Sequence, residues 1–178
     1  MRIERCAGVY EPDDDSYLLM GIEEIKGRVV EVGCGTGIVG LSYAEKGASV
    51  TLIDISAQAV ACARRNARMN GMDVSVIRGD MFQGLRGKFD YCIFNPPYLP
   101  SSHPDDDTWT GGPRGYEVTE RFLRDFPRLS RNAFYIESSL SPIARERFGN
   151  LEFSVERRMR YEFEELDLVR VTVNGFDR

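Results

Sequence analysis

Asn95-Pro96-Pro97-Tyr98 places an amide side chain, two prolines and an aromatic ring in direct succession. The side-chain oxygen of Asn95 and the backbone carbonyl of Pro96 are two acceptors suited to the two protons of a planar NH2 group, and using both leaves the lone-pair axis of the nitrogen free. Tyr98 can then cover the flat face of that group. Asn and Pro are also ordinary turn residues, so the tetrapeptide acquires chemical meaning only from what surrounds it.

A second set of residues suits a nucleotide-like cofactor. Gly33-Cys34-Gly35-Thr36-Gly37 follows Val29-Val30-Glu31-Val32 and opens an apolar helical stretch. Glycines there allow a tight turn and a close backbone approach to a ligand. Asp54 stands 19 residues after Gly35 at the end of the strand-like Ser49 to Ile53, where an acid commonly binds ribose hydroxyls. A dinucleotide and another adenosine-containing cofactor both remain open at this point. Two features favour the latter: Gly37 comes one residue too early for the pyrophosphate spacing, and Glu31 would repel a pyrophosphate while serving a cationic amino-acid moiety. S-Adenosylmethionine carries both a sulfonium and an ammonium. Asp80, in Gly79-Asp80-Met81-Phe82, offers an acceptor for an adenine amino group, with Met81 and Phe82 packing on the ring. Near the N-terminus, Glu11 and Asp13-Asp14-Asp15-Ser16 precede the apolar helical pattern Tyr17 to Ile22. Some of these acids cap the helix, and one carboxylate or hydroxyl is expected to face a cationic ligand.

The elements that must hold these groups follow from patterning. Tyr91 to Phe94 is a short apolar run of the kind that forms a buried parallel strand, and the two prolines end its ladder. Ligands of open α/β sheets bind outside the carboxyl ends of such strands. Helices are expected over 38–46, 57–70 and 118–129, with a short one at 141–148. Further strands are expected over 73–78 and 133–136, and an antiparallel pair over 151–161 and 164–173. From Leu99 to Gly115 there is little periodicity, as in a functional loop. Trp109 is a candidate apolar wall, Gly111, Gly112 and Gly115 are hinges, and Asp105-Asp106-Asp107 is a solvated tip or an attractor of basic residues.

Composition bounds these expectations. A chain of 178 residues, 42% hydrophobic, fills one core and is too short for two ordinary domains, so one domain is expected over 1–178, with an N-terminal helical segment at 1–26 and a substrate loop at 99–117. The net charge of −5 argues against capture of duplex nucleic acid by phosphate neutralisation. Arg64, Arg65 and Arg68, like Arg157, Arg158 and Arg160, are expected to be solvated faces. Cys6, Cys34, Cys62 and Cys92 lack CxxC spacing and are expected to be reduced, Cys92 buried, and with His103 the lone histidine no metal site is expected. No signal peptide or long apolar span is visible, which points to a cytoplasmic protein.

Taken together, Glu31-Val32-Gly33-Cys34-Gly35-Thr36-Gly37, Asp54, Asp80 and Asn95-Pro96-Pro97-Tyr98 resemble the motifs of class I methyltransferases that act on amino nitrogens. The tetrapeptide is shared by adenine-N6 methyltransferases and by the HemK family, which methylates glutamine in translation release factors. Tyr10-Glu11-Pro12-Asp13-Asp14-Asp15-Ser16-Tyr17-Leu18-Leu19 and Trp109-Thr110-Gly111-Gly112-Pro113-Arg114-Gly115-Tyr116-Glu117-Val118 resemble the opening and the post-catalytic loop of the short archaeal and eukaryotic HemK-like enzymes. That resemblance implies an α/β, Rossmann-like methyltransferase fold: a seven-stranded, mostly parallel sheet with helices on both faces and an antiparallel C-terminal strand. It implies methyl transfer from S-adenosylmethionine, leaving S-adenosylhomocysteine, to the glutamine of the Gly-Gly-Gln motif of a class 1 release factor. Tyr10, Ser16, Glu31, Gly33, Gly35, Asp54, Asp80, Met81 and Asn95 are then cofactor positions, and Asn95, Pro96, Pro97 and Tyr98 the catalytic ones. A small zinc-containing activator subunit is also implied, and the expected edge strand 73–78 offers it a place to pair. Adenine-N6 methylation, lysine methylation, and a non-catalytic nucleotide-binding scaffold or nicotinamide dehydrogenase are the alternatives.

Overall fold

The structure, a computed structural model, describes residues 1–100 and 110–175. Seven strands form one sheet: β1 Arg28–Val32, β2 Ser49–Asp54, β3 Ser75–Arg78, β4 Tyr91–Phe94, β5 Asn132–Ser138, β6 Leu151–Arg160 and β7 Glu165–Val173, in the order β3-β2-β1-β4-β5-β7-β6. The first five strands run parallel, and β7 is antiparallel to both of its neighbours. This is the Rossmann-like mixed sheet that the alternation of β-branched runs and helical stretches leads one to expect.

The central strands are apolar on successive residues because both faces of the sheet are covered. Val29, Ile93 and Phe134 point to one face and pack with Leu19 of α1 (Asp14–Met20), Leu41 and Tyr43 of α2 (Ile38–Glu45) and Ala63 of α3 (Ala57–Met69). Val30, Val32, Phe94 and Tyr135 point to the other and pack with Phe122 and Leu123 of α4 (Glu117–Asp125) and with Phe126. The helix expected over 118–129 stops at Asp125 and continues as a 3-10 turn, Phe126–Arg128, because Pro127 has no N–H for an α-helical bond. Likewise the helix expected over 141–148 is only a 3-10 turn, Arg145–Arg147; the segment is held instead by the Glu137 carboxylate of β5, which accepts from the Ile143 N–H and the Arg145 guanidinium at 2.8 Å each.

Two further expectations need correction. Cys6 and Cys62 form a disulfide, while Cys34 and Cys92 are free and buried; the partners are 56 residues apart, so no local spacing announces them. The edge strand β3 is shorter than the expected 73–78, and the side chains of Val74 and Val76 pack onto one core face and Ile77 onto the other. What β3 leaves at the edge is therefore chiefly backbone, and the Arg64 guanidinium already donates to the Val76 carbonyl at 2.8 Å.

Candidate active site

The glycine turn joins β1 to α2. Gly33, Gly35 and Gly37 all have positive φ (60°, 52° and 82°), a conformation that side-chain-bearing residues rarely adopt. Two acids hold the turn from behind. Glu31, 3% exposed, accepts the Gly40 N–H at 2.8 Å; a Cβ on Gly40 would stand 2.7 Å from the same oxygen. Burial pushes the Glu31 carboxyl up to about 8, with the Gly40 hydrogen bond opposing and the nearby Asp54 adding to the rise. Asp54 accepts from Gly35 N–H at 2.9 Å and from Ser56 N–H at 2.8 Å, and burial raises its pKa. Each of its oxygens keeps a further lone pair, enough for ribose hydroxyls. A cation beside the buried Glu31 carboxyl would favour its charged form.

Asn95 follows β4 beside this turn: a Cβ on Gly33 would meet the Phe94 ring at 3.1 Å and the Asn95 carbonyl at 4.0 Å. The side-chain oxygen of Asn95 is buried and has no hydrogen-bond partner, a costly state that asks for an incoming donor. Among the described residues none donates to the Pro96 carbonyl either. Tyr98 is held at both ends, its hydroxyl 3.4 Å from Asp15 and its carbonyl accepting from Ser141 Oγ at 2.9 Å. Burial and the Asp15 carboxylate raise the pKa of Tyr98, as they raise that of Tyr10.

Asp15, 2% exposed, organises this corner. It accepts from the Tyr10 hydroxyl at 2.6 Å, from Ser16 N–H at 2.5 Å and from Ser16 Oγ at 3.1 Å. Sequence reasoning singled out Ser16 and missed Asp15, because three consecutive aspartates carry no local mark of which one turns inward. Asp13 is the helix cap, accepting from Asp14 N–H, and Asp14 faces Tyr161. Ser141 was missed because it acts on Tyr98, 43 residues away, and Gly40 because nothing in its helical stretch marks it as the donor to Glu31.

Not every sequence-predicted residue is free for a ligand. One oxygen of Asp80 is taken by Arg121 of α4 at 2.7 Å, leaving the other available. Met81 is buried with φ 51°, the one positive φ among the described residues other than glycine, so the turn after β3 is strained. The glycines expected as hinges are points of close packing: a Cβ on Gly111 would lie 1.9 Å from the Gly115 carbonyl and 2.5 Å from that of Pro97, and Gly111 N–H donates to the Leu99 carbonyl at 3.0 Å. His103, Asp105-Asp106-Asp107 and Trp109 lie outside the described residues. Burial raises the pKa of the Cys34 and Cys92 thiols, so neither is a ready nucleophile. Clefts of about 400 Å³ at Ile22 and Arg157 and about 320 Å³ at Glu137 and Arg158 bring none of the candidate groups together.

The family model described as the methyltransferase small domain matches residues 6–110, a span from the N-terminal segment through the glycine turn to the exit from β4, and the chain belongs to that family. It is a methyltransferase. Among individual proteins it is 34% identical over 177 residues to a putative protein N5-glutamine methyltransferase of Methanocaldococcus jannaschii, covering 90% of each chain. It is 34% identical over 150 residues to methyltransferase HEMK2 of Mus musculus, covering 72% of this chain and 70% of the relative. The E. cuniculi Mtq2-Trm112 complex, responsible for methylation of the eRF1 translation termination factor, contains a chain that superposes with a TM-score of 0.76 at 22% identity, over 93% of this chain and 99% of that one; at that identity the likeness shows the fold.

Proposed function

We propose that this protein transfers a methyl group from S-adenosylmethionine to the side-chain amide nitrogen of a protein glutamine, the acceptor being the Gly-Gly-Gln glutamine of a translation release factor. The observation that carries this reading is the buried, unpartnered oxygen of Asn95 at the carboxyl end of β4. The Methanocaldococcus jannaschii relative, which shares most of the chain and is named for glutamine methylation, supports the choice of acceptor.

The cofactor fits the residues present. Glu31 would receive the ammonium, Asp54 the ribose hydroxyls and the free oxygen of Asp80 the adenine amino group. Met81 would pack on the base, Gly33 and Gly35 would allow the close backbone approach, and Tyr10 and Ser16 would close the other side. When bound, S-adenosylmethionine supplies an electrophilic methyl group on sulfur. An amide nitrogen is a poor nucleophile because its lone pair is delocalised, so the protein must hold it and favour a more tetrahedral nitrogen. Asn95 Oδ1 and the Pro96 carbonyl do this by accepting its two N–H bonds, which become stronger donors as positive charge develops. Tyr98, fixed by Asp15 and Ser141, walls the face of the amide, and Pro97 stiffens the turn. Positioning of this kind contributes on the order of 7–11 kcal/mol. No side chain is required as general base, since the proton lost from the nitrogen can pass to water after transfer.

A small zinc-binding activator subunit pairing with the β3 edge belongs to the same proposal; the relative solved together with Trm112 supports it, and β3 lies at the end of the sheet order. The test of function is mass spectrometry of a recombinant release factor after incubation with this protein, the zinc subunit and labelled cofactor. One added methyl on the Gly-Gly-Gln glutamine is expected, and label on adenine or lysine instead would refute the acceptor. Co-expression that raises neither solubility nor turnover would remove the activator from the proposal.

A further inference from the structure

The β6–β7 hairpin has no role in the chemistry above, yet its turn lies at the mouth of the site. Because β7 runs antiparallel to β5, with Ser138 opposite Leu166, the turn at 161–164 emerges on the edge of the sheet where β4 and β5 end. Hydrogen bonds close a ring there. Tyr161 OH donates to Asp14 at 2.6 Å, and its N–H donates to the Glu164 carbonyl at 2.7 Å. Ser138 Oγ donates to the Glu164 carboxylate at 2.6 Å. Ser141 and Asp15 complete the ring on Tyr98, at 2.9 and 3.4 Å.

Around this ring the surface is apolar and acidic. Of nine exposed large hydrophobics among the described residues, Phe163 (82% exposed) and Tyr161 are in the turn itself, and Tyr17, Leu140 and Leu99 stand within two residues of the ring members Asp15, Ser141 and Tyr98. Single exposed apolar residues are ordinary, but a concentration at one place marks an interaction surface. Asp13, Asp14, Glu162 and Glu164 have no cationic partner among the described residues, whereas Glu165, further along the hairpin, is bridged by Arg158 and Arg160.

We propose that this rim docks a cationic polypeptide segment flanking the acceptor glutamine, with Phe163 as the apolar anchor and the four carboxylates selecting positive charge. The proposal rests on the glutamine reading and adds to it the surface that selects the protein. Charge complementarity argues for a basic occupant: Asp13, Asp14 and Glu164 are bonded to neutral donors, so their negative charge and that of Glu162 stay uncompensated beside the apolar tip, and an acidic segment would be repelled. Contiguity with the Tyr98 corner sets the docked segment within a few residues of the methyl acceptor.

The experiment uses Phe163→Ser and Glu162→Lys, neither of which belongs to the cofactor or catalytic set, with S-adenosylmethionine binding as the control for folding. Two labelled synthetic peptides are titrated by fluorescence polarisation: a central glutamine flanked by arginines and a leucine, and the same peptide with glutamates for arginines. The wild type should bind the cationic peptide at least about 10-fold more tightly than the anionic one, and each variant should weaken that binding about 5- to 10-fold. The preference should shrink as salt rises. With the release factor as substrate, the variants should raise KM and leave kcat within about 2-fold. Equal affinity for the two peptides, or cationic binding untouched in both variants, overturns the docking surface. If the wild type binds the cationic peptide as expected but transfers no methyl to any glutamine, the acceptor assignment falls and the surface stands.

Discussion

The proposed chemistry turns on an acceptor that has no donor of its own. A buried amide oxygen without a donor costs about 1–3 kcal/mol, and Asn95 bears that cost where the acceptor amide would sit. Asn95→Ala should leave S-adenosylmethionine affinity within a few-fold and lower kcat about 10²- to 10³-fold, the usual effect of deleting one group that stabilises a developing charge; calorimetry with single-turnover kinetics checks both, and retained turnover would end the assignment. Glu31 predicts a pH effect. Its pKa is raised from 4.5 to about 8 in the folded protein, so between those values the native state binds more protons than the unfolded one, and this group's contribution to stability is present below pH 4.5 and lost as pH rises to about 8. A bound cation reverses the preference. Cofactor binding near pH 7 should therefore release up to about one proton, measured by calorimetry in buffers of different ionisation enthalpy, and the release should vanish in Glu31→Gln.

At the scale of elements, the N-terminal strap and α3 form one unit that reaches the glycine turn. Asn66 of α3 donates to the carbonyls of Glu4 and Thr36 at 3.1 and 2.9 Å, Asn70 Nδ2 donates to the Arg2 carbonyl at 2.6 Å, and Val9 packs with Ala59 and Cys62. The Cys6–Cys62 bond closes a loop of 56 residues. Restricting the unfolded chain in this way is typically worth about 2–4 kcal/mol. Cys6→Ser with Cys62→Ser should lower Tm by roughly 5–15 °C and weaken cofactor binding, since the strap carries Tyr10 and backs the turn; scanning calorimetry of the oxidised wild type and the double variant decides it. Most elements were legible from local pattern: β1, β2 and β4 as β-branched or apolar runs, and α3, expected over 57–70, found at Ala57–Met69. The segment 141–148 was not, because it is held by contacts to the Glu137 carboxylate on another element.

For the whole molecule, seven strands in one sheet with an apolar core on each face predict one cooperative unit. Circular dichroism and calorimetry should report a single coincident unfolding transition. S-Adenosylmethionine at about 100 times its Kd should add about 2.7 kcal/mol, or roughly 5–10 °C in Tm, while NAD at the same concentration should leave Tm unchanged. Two separate transitions would divide the chain into domains, and a shift with NAD would revive the dinucleotide alternative.

Residue order alone determined the alternation of strands and helices, the glycine turn with its two acids and the Asn-Pro-Pro-Tyr exit from β4, because each depends on spacings within a few residues or on one strand–helix unit. Tertiary structure alone decided which of three aspartates turns inward, that Cys6 meets Cys62, that Asp80 shares its charge with Arg121, and that a hairpin from the far end of the chain borders Tyr98. Those contacts join residues on different elements, and what selects them is the packing of helices and strands against one sheet, which no local pattern records.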